Sequence, residues 1–228
     1  GLGITLGDLE EPLTVSALLD SPVPKERVLA AVREYARMTA LTAYGQVLDI
    51  DNGARPLEEL RESDVLLVHR LKSAVYTVAS PLRIGAILGG GSPGLLAGLE
   101  RFGLDAGIAF QLRDDVLGAG FGSSAIGKSA NDLVEGKRTL LVVRAWARST
   151  PADRRRLRRV LGQPSASAAA LREARHVIEA TGALDYSERR IRTLKDRALR
   201  GLDRVPDLTP GGRRLLSEIA RLLVDRTA

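Results

Sequence analysis

Near the middle of the chain an apolar run ends in two adjacent carboxylates, Gly107-Ile108-Ala109-Phe110-Gln111-Leu112-Arg113-Asp114-Asp115-Val116-Leu117-Gly118. Two neighbouring acids repel each other, and beside a core each is costly to ionise unless a cation offsets its charge. A bound metal ion would do that. Gln111 is spaced to share a helix face with both acids, so the three side chains form a patch able to grip metal-bound water or a phosphate oxygen. Taken alone, an Asp-Asp pair is most often two solvated side chains at a helix end, and it gains weight here from the segment that follows.

That segment reads Gly127-Lys128-Ser129-Ala130-Asn131-Asp132-Leu133-Val134-Glu135-Gly136-Lys137-Arg138-Thr139. Lysines among small residues, reached through a glycine-rich loop from Gly118 to Gly127, suit a metal-diphosphate complex. The acids hold the ion, and ammonium groups neutralise the oxygens the metal does not reach. Gly-Lys-Ser also resembles the tail of a P-loop, but no strand precedes it and no helix springs from Lys128, which excludes that reading. A second constellation, Lys72-Ser73-Ala74-Val75-Tyr76-Thr77, puts a cation, two hydroxyls and a phenol on one helix face, and apart from Lys72 it would pass for a helix–helix seam. A third, Gly45-Gln46-Val47-Leu48-Asp49, carries an amide and an acid on an otherwise apolar helix, where local partners are the plain alternative.

All of these candidates must be held by helices. Apolar residues recur at three and four, as in Val28, Val32, Tyr35, Ala36 and Thr39 or Ile191, Leu194, Ala198 and Leu202, while alternating patterns are nearly absent, so the chain reads as all-α. Breakers divide it into helices from about Leu2 to Leu19, Pro24 to Ile50, a stretch after Pro56 bent by Pro81 and ending at Gly89-Gly90-Gly91, and one opened by Ser92-Pro93 that runs to Leu117. Beyond Gly136 the pattern predicts helices over 139–148, 151–161, 167–181, 184–205 and 210–224, packing elements without chemistry of their own. No repeat or long linker divides the 228 residues, which read as one helical domain.

Composition narrows the chemistry. With no cysteine, any metal must be held by oxygen or imidazole ligands, and with only two histidines Asp and Glu are the favoured ligands, which suits a hard ion such as Mg²⁺. The absence of disulfides fits a cytoplasmic protein, and no apolar run approaches the roughly 18 residues of a membrane span. A net charge of +6 attracts anions, but aromatic residues make up 4% and no nucleic-acid motif is present, which disfavours nucleic acid as the partner. The basic run from Asp153 to Leu161 has Leu157, Val160 and Leu161 at helical spacing and reads as a solvated helix face.

In order, Gly7-Asp8, Gly45-Gln46 with Asp49, Lys72-Ser73 with Tyr76, Phe110-Gln111 with Asp114-Asp115, Gly127-Lys128 with Asp132, and Gly136-Lys137-Arg138-Thr139 resemble the trans-type isoprenyl diphosphate synthases, the polyprenyl synthetase family. The resemblance covers Gly1 to Thr139, and Phe-Gln-Leu-Arg-Asp-Asp is its most specific phrase. It implies a bundle of mostly antiparallel helices around a central cavity, usually a homodimer. It also implies a prenyltransferase of isoprenoid biosynthesis that condenses an allylic diphosphate with isopentenyl diphosphate, using two or three Mg²⁺ ions. On this basis Asp114 and Asp115 are metal ligands, with Asp132 a third candidate. Lys72, Gln111 and Lys128 act on the allylic diphosphate, Ser73 supports it, and Tyr76, Gln46 and Asp49 lie around it.

The sequence departs from the family pattern at three places. Gly118 stands where the second aspartate-rich motif normally ends in an aspartate, and Ser73 stands where threonine is usual. The first aspartate-rich motif is absent, so we expect a chain that starts late, corresponds to the C-terminal two-thirds of a synthase and is inactive alone, with apolar faces that need covering. The competing expectations are a non-catalytic or regulatory subunit of a heteromeric synthase, a terpene cyclase, and a basic helical binding module.

Overall fold

The computed structural model of the protein describes residues 1–122 and 131–226. Among the described residues every regular element is helical. α1 (Leu2–Leu19) stops ahead of Pro22, and α2 (Lys25–Ala54) starts directly after Pro24. A 3-10 turn, Leu57–Glu59, leads to α3 (Glu62–Val68), which runs on through a π-helical segment, His69–Ala79, into α4 (Ser80–Leu88). α5 (Pro93–Gly118) begins on a cap in which Ser92 Oγ accepts the Leu95 N–H, with Pro93 in the first turn where its missing N–H costs nothing. α6 (Asn131–Val134), α7 (Leu140–Arg148), α8 (Pro151–Arg158), α9 (Ala168–Ala180), α10 (Ala183–Leu202) and α11 (Pro210–Val224) complete the chain.

Two local features differ from expectation. The bend assigned to Pro81 is a π-helical segment ahead of it. Proline has no N–H, and its ring crowds the carbonyl four residues back. Widening the preceding turns relieves both problems, and the Ser80 N–H bonds to Val75 O, five residues back. The polar stretch before Gly136 contains the short α6, too brief for periodicity to reveal. Of the glycine-rich loop, the described part turns at Gly120, whose φ of 82° closes the end of α5 at little steric cost.

α5 is the central element, packed against the π segment and α10. Both the α2 and α5 contacts with the π segment are close because glycine is there. A Cβ on Gly45 would lie 2.5 Å from the Lys72 backbone nitrogen, and one on Gly107 would lie 2.5 Å from Ala74 Cα. One core gathers Leu112, Val116, Leu140, Leu141, Trp146, Ile178 and Ile191, and a second gathers Leu99, Phe102, Leu202 and Leu216 around α5, α10 and α11. Each such side chain contributes roughly 1.5–3 kcal/mol on burial.

A charged network ties α2, α4 and α5 together. Buried Glu34 accepts from Arg37 (2.8 Å) and Ser80 (2.8 Å) and pairs with Arg83 (3.2 Å), while Arg83 and Arg37 both reach Glu100. The basic run of α8 is a helix face with Leu157 and Val160 buried beneath it, and Arg154 and Arg158 lie over the Trp146 ring at 5.3 and 5.0 Å. α1 buries none of its residues, so Leu2, Ile4, Leu6, Leu9 and Leu13 are exposed. Among the described residues no helix is long and apolar enough to cross a membrane.

Candidate functional site

α2, the π segment, α5 and the turn before α7 meet around a cavity of about 100 Å³. Its walls carry Asp49 and Asn52 from α2, His69, Lys72 and Ser73 from the π segment, Gln111 and Asp115 from α5, and Lys137, Arg138 and Thr139 from the turn, with Val65 and Val68 of α3 as apolar wall. On the π segment His69, Lys72 and Ser73 are spaced to share one face. The glycine contacts at 45 and 107 bring that face close to α2 and α5, so sequence-distant groups come within bonding distance.

Those groups form two polar chains. In the first, Lys72 Nζ donates to Asp49 Oδ2 at 2.6 Å. An ammonium has three protons, so Asp49 aims Lys72 and leaves two donors for another anion. In the second, Ser73 Oγ donates to Gln111 Oε1 at 2.9 Å, and Gln111 Nε2 donates to Asp115 Oδ1 at 3.1 Å. Asp115 is 5% exposed. Among the described residues its other oxygen, Oδ2, accepts no counted hydrogen bond, although His69 Nε2 lies 3.1 Å away. A buried carboxylate oxygen lacking a donor is the kind of atom a cation satisfies.

Beside this pair Lys137 donates to Asp132, which lies against the end of α5. Burial pushes the Asp132 carboxyl above the ordinary carboxylate range, and the nearby Asp115 and Asp114 charges add to the push against the pull of Lys137. Burial works against the charge of Lys137 as well, yet Asp132 and then Glu135 hold its ammonium above the ordinary lysine value. Arg138 donates to Gly53 O at 3.2 Å and pins the end of α2 to the turn. Among the described residues no three acids or histidines converge as a ready-made metal cage. Mg²⁺ does not require one, because it keeps several waters and commonly binds proteins through one or two carboxylates together with substrate phosphates. The donor set at Asp115, with its unsatisfied oxygen, therefore fits that ion.

The candidates from sequence divide as follows. Lys72, Ser73, Gln111, Asp115 and Asp49 line the cavity. Asp114 is not among the cavity walls; half exposed, it accepts from Gln111 Nε2 at 3.5 Å and from Arg226 at 2.7 Å, and the Arg226 guanidinium stacks over Phe110 at 4.4 Å. The Gln111 amide thus reaches both adjacent aspartates, as its spacing predicts, although only Asp115 is buried. Gln46 and Tyr76 are exposed and lie outside the cavity walls. Asp132 flanks the cavity through Lys137, and Lys128 lies outside the described residues.

Residue-level reasoning missed His69 and Asn52 as cavity residues, and it treated Lys137, Arg138 and Thr139 as motif rather than site. The i, i+3 relation of His69 to Lys72 was the available signal for His69. Nothing local distinguishes Asn52 from a solvated helix-end amide.

The sequence profile of the polyprenyl synthetase family matches residues 3–178. Geranylfarnesyl diphosphate synthase of Aeropyrum pernix is 38% identical over 165 residues, 72% of this chain and 50% of its own length. Geranylgeranyl pyrophosphate synthase of Geoglobus acetivorans is 30% identical over 224 residues, 98% of this chain and 66% of its own length. The crystal structure of geranylgeranyl pyrophosphate synthase from Corynebacterium glutamicum, complexed with isoprenyl diphosphate and magnesium, superposes with a TM-score of 0.85 at 35% identity, covering 98% of this chain and 62% of that one. The chain thus spans about half to two-thirds of the length of these relatives. A profile match over most of the residues, joined to this structural agreement, shows that the chain belongs to the polyprenyl synthetase family.

Proposed function

We propose that the cavity binds the diphosphate of an allylic prenyl substrate and that the protein takes part in prenyl transfer, the condensation of that substrate with isopentenyl diphosphate in isoprenoid biosynthesis. The observation that carries this reading is the convergence of Lys72, Lys137 and Arg138 with the buried Asp115 carboxylate around one small cavity. Cations alone would suit any anion. A carboxylate with an unsatisfied oxygen set among them suits an anion that arrives with a metal.

In this reading Asp115, with Asp114 and Asp132 nearby, would hold Mg²⁺, of which a full site would take two or three. When bound, Mg²⁺ supplies positive charge to the departing diphosphate. The other roles fall to the chain. Lys72, aimed by Asp49, and Lys137, aimed by Asp132, donate to diphosphate oxygens as the allylic carbon–oxygen bond breaks and negative charge gathers on them. Gln111 is locked by Ser73 and Asp115 and presents a fixed amide edge to the ligand, while Lys128 is assigned to the same diphosphate. The double bond of isopentenyl diphosphate captures the allylic cation, forming the new carbon–carbon bond, and the proton lost passes to the released diphosphate. Val65 and Val68 keep water from the cation at the wall they form.

Residues 1–228 act in this reading as one helical domain of a cytoplasmic enzyme that works as a dimer or with a related subunit. The test is transfer of labelled isopentenyl diphosphate onto allylic diphosphates with Mg²⁺, alongside calorimetric binding of magnesium pyrophosphate. Because the first aspartate-rich motif is absent from these residues, turnover is read in a longer version that carries it, where Lys72→Ala or Asp115→Asn should lower the rate roughly 10²-fold or more, and binding is read in the chain itself. Near-normal turnover and binding in both variants would remove the cavity from the mechanism.

A further inference from the structure

We propose that His69 is a positioning residue for Asp115, holding that carboxylate in the one orientation that presents its second oxygen to the cavity. This deepens, and rests on, the reading of the cavity as a metal-diphosphate site. An aspartate side chain has two rotatable bonds, so one contact cannot fix the plane of its carboxylate. Gln111 supplies one contact, at 3.1 Å to Oδ1, from a residue on the same helix. His69 supplies the other, with Nε2 3.1 Å from Oδ2, from a different helix. Both side chains are buried, at 8% and 7% exposure, and both residues line the cavity.

The placement of the histidine follows from the backbone. His69 is the first residue of the π segment, whose chain lies against α5 because Gly107 has no Cβ to hold Ala74 off. Moving the segment outward would carry the imidazole away from Asp115 along with Ser73, the partner of Gln111. The polar Nε2 edge faces Oδ2 at 3.1 Å, and a carboxylate oxygen with two lone pairs still has room for a cation. Residues standing behind a metal-binding side chain affect affinity strongly although they never touch the metal.

Calorimetric titration of MgCl₂ with inorganic pyrophosphate separates this role from packing, with circular dichroism verifying that each variant is folded. Asp115→Asn should weaken binding and sets the scale. His69→Leu keeps the bulk and removes the polar edge, and it should weaken binding roughly tenfold or more while leaving the melting temperature near its original value. His69→Gln places an amide nitrogen near the position of Nε2 and should recover most of the affinity. If Asp115→Asn weakens binding but His69→Leu does not, the positioning role is wrong and the diphosphate site stands. Loss in His69→Gln equal to that in His69→Leu makes the histidine a packing residue and overturns the inference. If Asp115→Asn binds normally, the proposed site and this inference fall together. Should His69→Leu not fold, His69→Gln against Asp115→Asn decides the question alone, with unrecovered affinity as the refuting result.

Discussion

Restoring the aspartate that the family usually carries at position 118 should damage this protein. A Cβ built on Gly118 would lie 2.6 Å from Asp132 Cγ and closer still to one of its oxygens. The carboxylate of Asp132 therefore occupies the volume that a side chain at 118 would need. Asp132 cannot swing aside freely, because it is 8% exposed and held by Lys137. Gly118→Asp forces a side chain into a filled space, at about 1–3 kcal/mol. It also loosens the Asp132–Lys137 pair, for which about 1 kcal/mol is a suitable allowance because Lys137 is half exposed and solvent screens the pair. The sum, about 2–4 kcal/mol, lowers the melting temperature by about 4–16 °C in a chain of this size. Thermal unfolding followed by circular dichroism measures it, and magnesium pyrophosphate binding should weaken in parallel. The double variant Gly118→Asp with Asp132→Gly exchanges the two side chains and should recover at least 1 kcal/mol relative to the sum of the singles. Additivity within about 0.5 kcal/mol, or a Gly118→Asp protein as stable as the parent, would refute the argument that one carboxylate stands in the other's place.

Three further outcomes follow from the packing and charge networks. Gly45→Ala and Gly107→Ala each drive a methyl group against backbone at 2.5 Å and should cost about 1–3 kcal/mol in urea unfolding, with pyrophosphate binding falling too because the π segment is displaced. Burial pushes the Glu34 carboxyl up, but hydrogen bonds from Arg37 and Ser80 and the charge of Arg83 outweigh it and leave the pKa below the ordinary glutamate value. A group lowered in the folded state binds fewer protons there than in the unfolded chain. Its contribution is therefore full above the ordinary glutamate range and lost as pH falls through its lower folded value. Glu34→Gln should flatten that part of the stability–pH curve and cost about 2–3 kcal/mol at neutral pH, less than a fully buried pair because Arg37 is partly exposed. Asp49→Asn should change stability by under about 1 kcal/mol, since its pair with Lys72 is partly exposed, yet weaken pyrophosphate binding by loosening Lys72. A large stability loss with intact binding would show that Asp49 holds the helices rather than the lysine.

Helix positions were legible in the sequence because proline, glycine and capping residues act locally: Pro24, Ser92 with Pro93, Thr150 with Pro151 and Thr209 with Pro210 all start helices where they stand. The chemistry of Lys72, Gln111 and Asp115 was legible because their spacing puts compatible groups on shared faces. What the spacing could not carry was direction across elements. Whether Asp114 or Asp115 faces the cavity depends on the rotation of α5 against a π segment whose wider turns no apolar periodicity announces. His69 was invisible for the same reason, since its significance is a 3.1 Å approach to a residue on another helix. Gly118 is the sharpest case. In sequence it reads as the loss of an acid, and in space it is the opening that lets Asp132 lie buried at that point, so the deficit at one position and the acid at another are parts of a single packing arrangement.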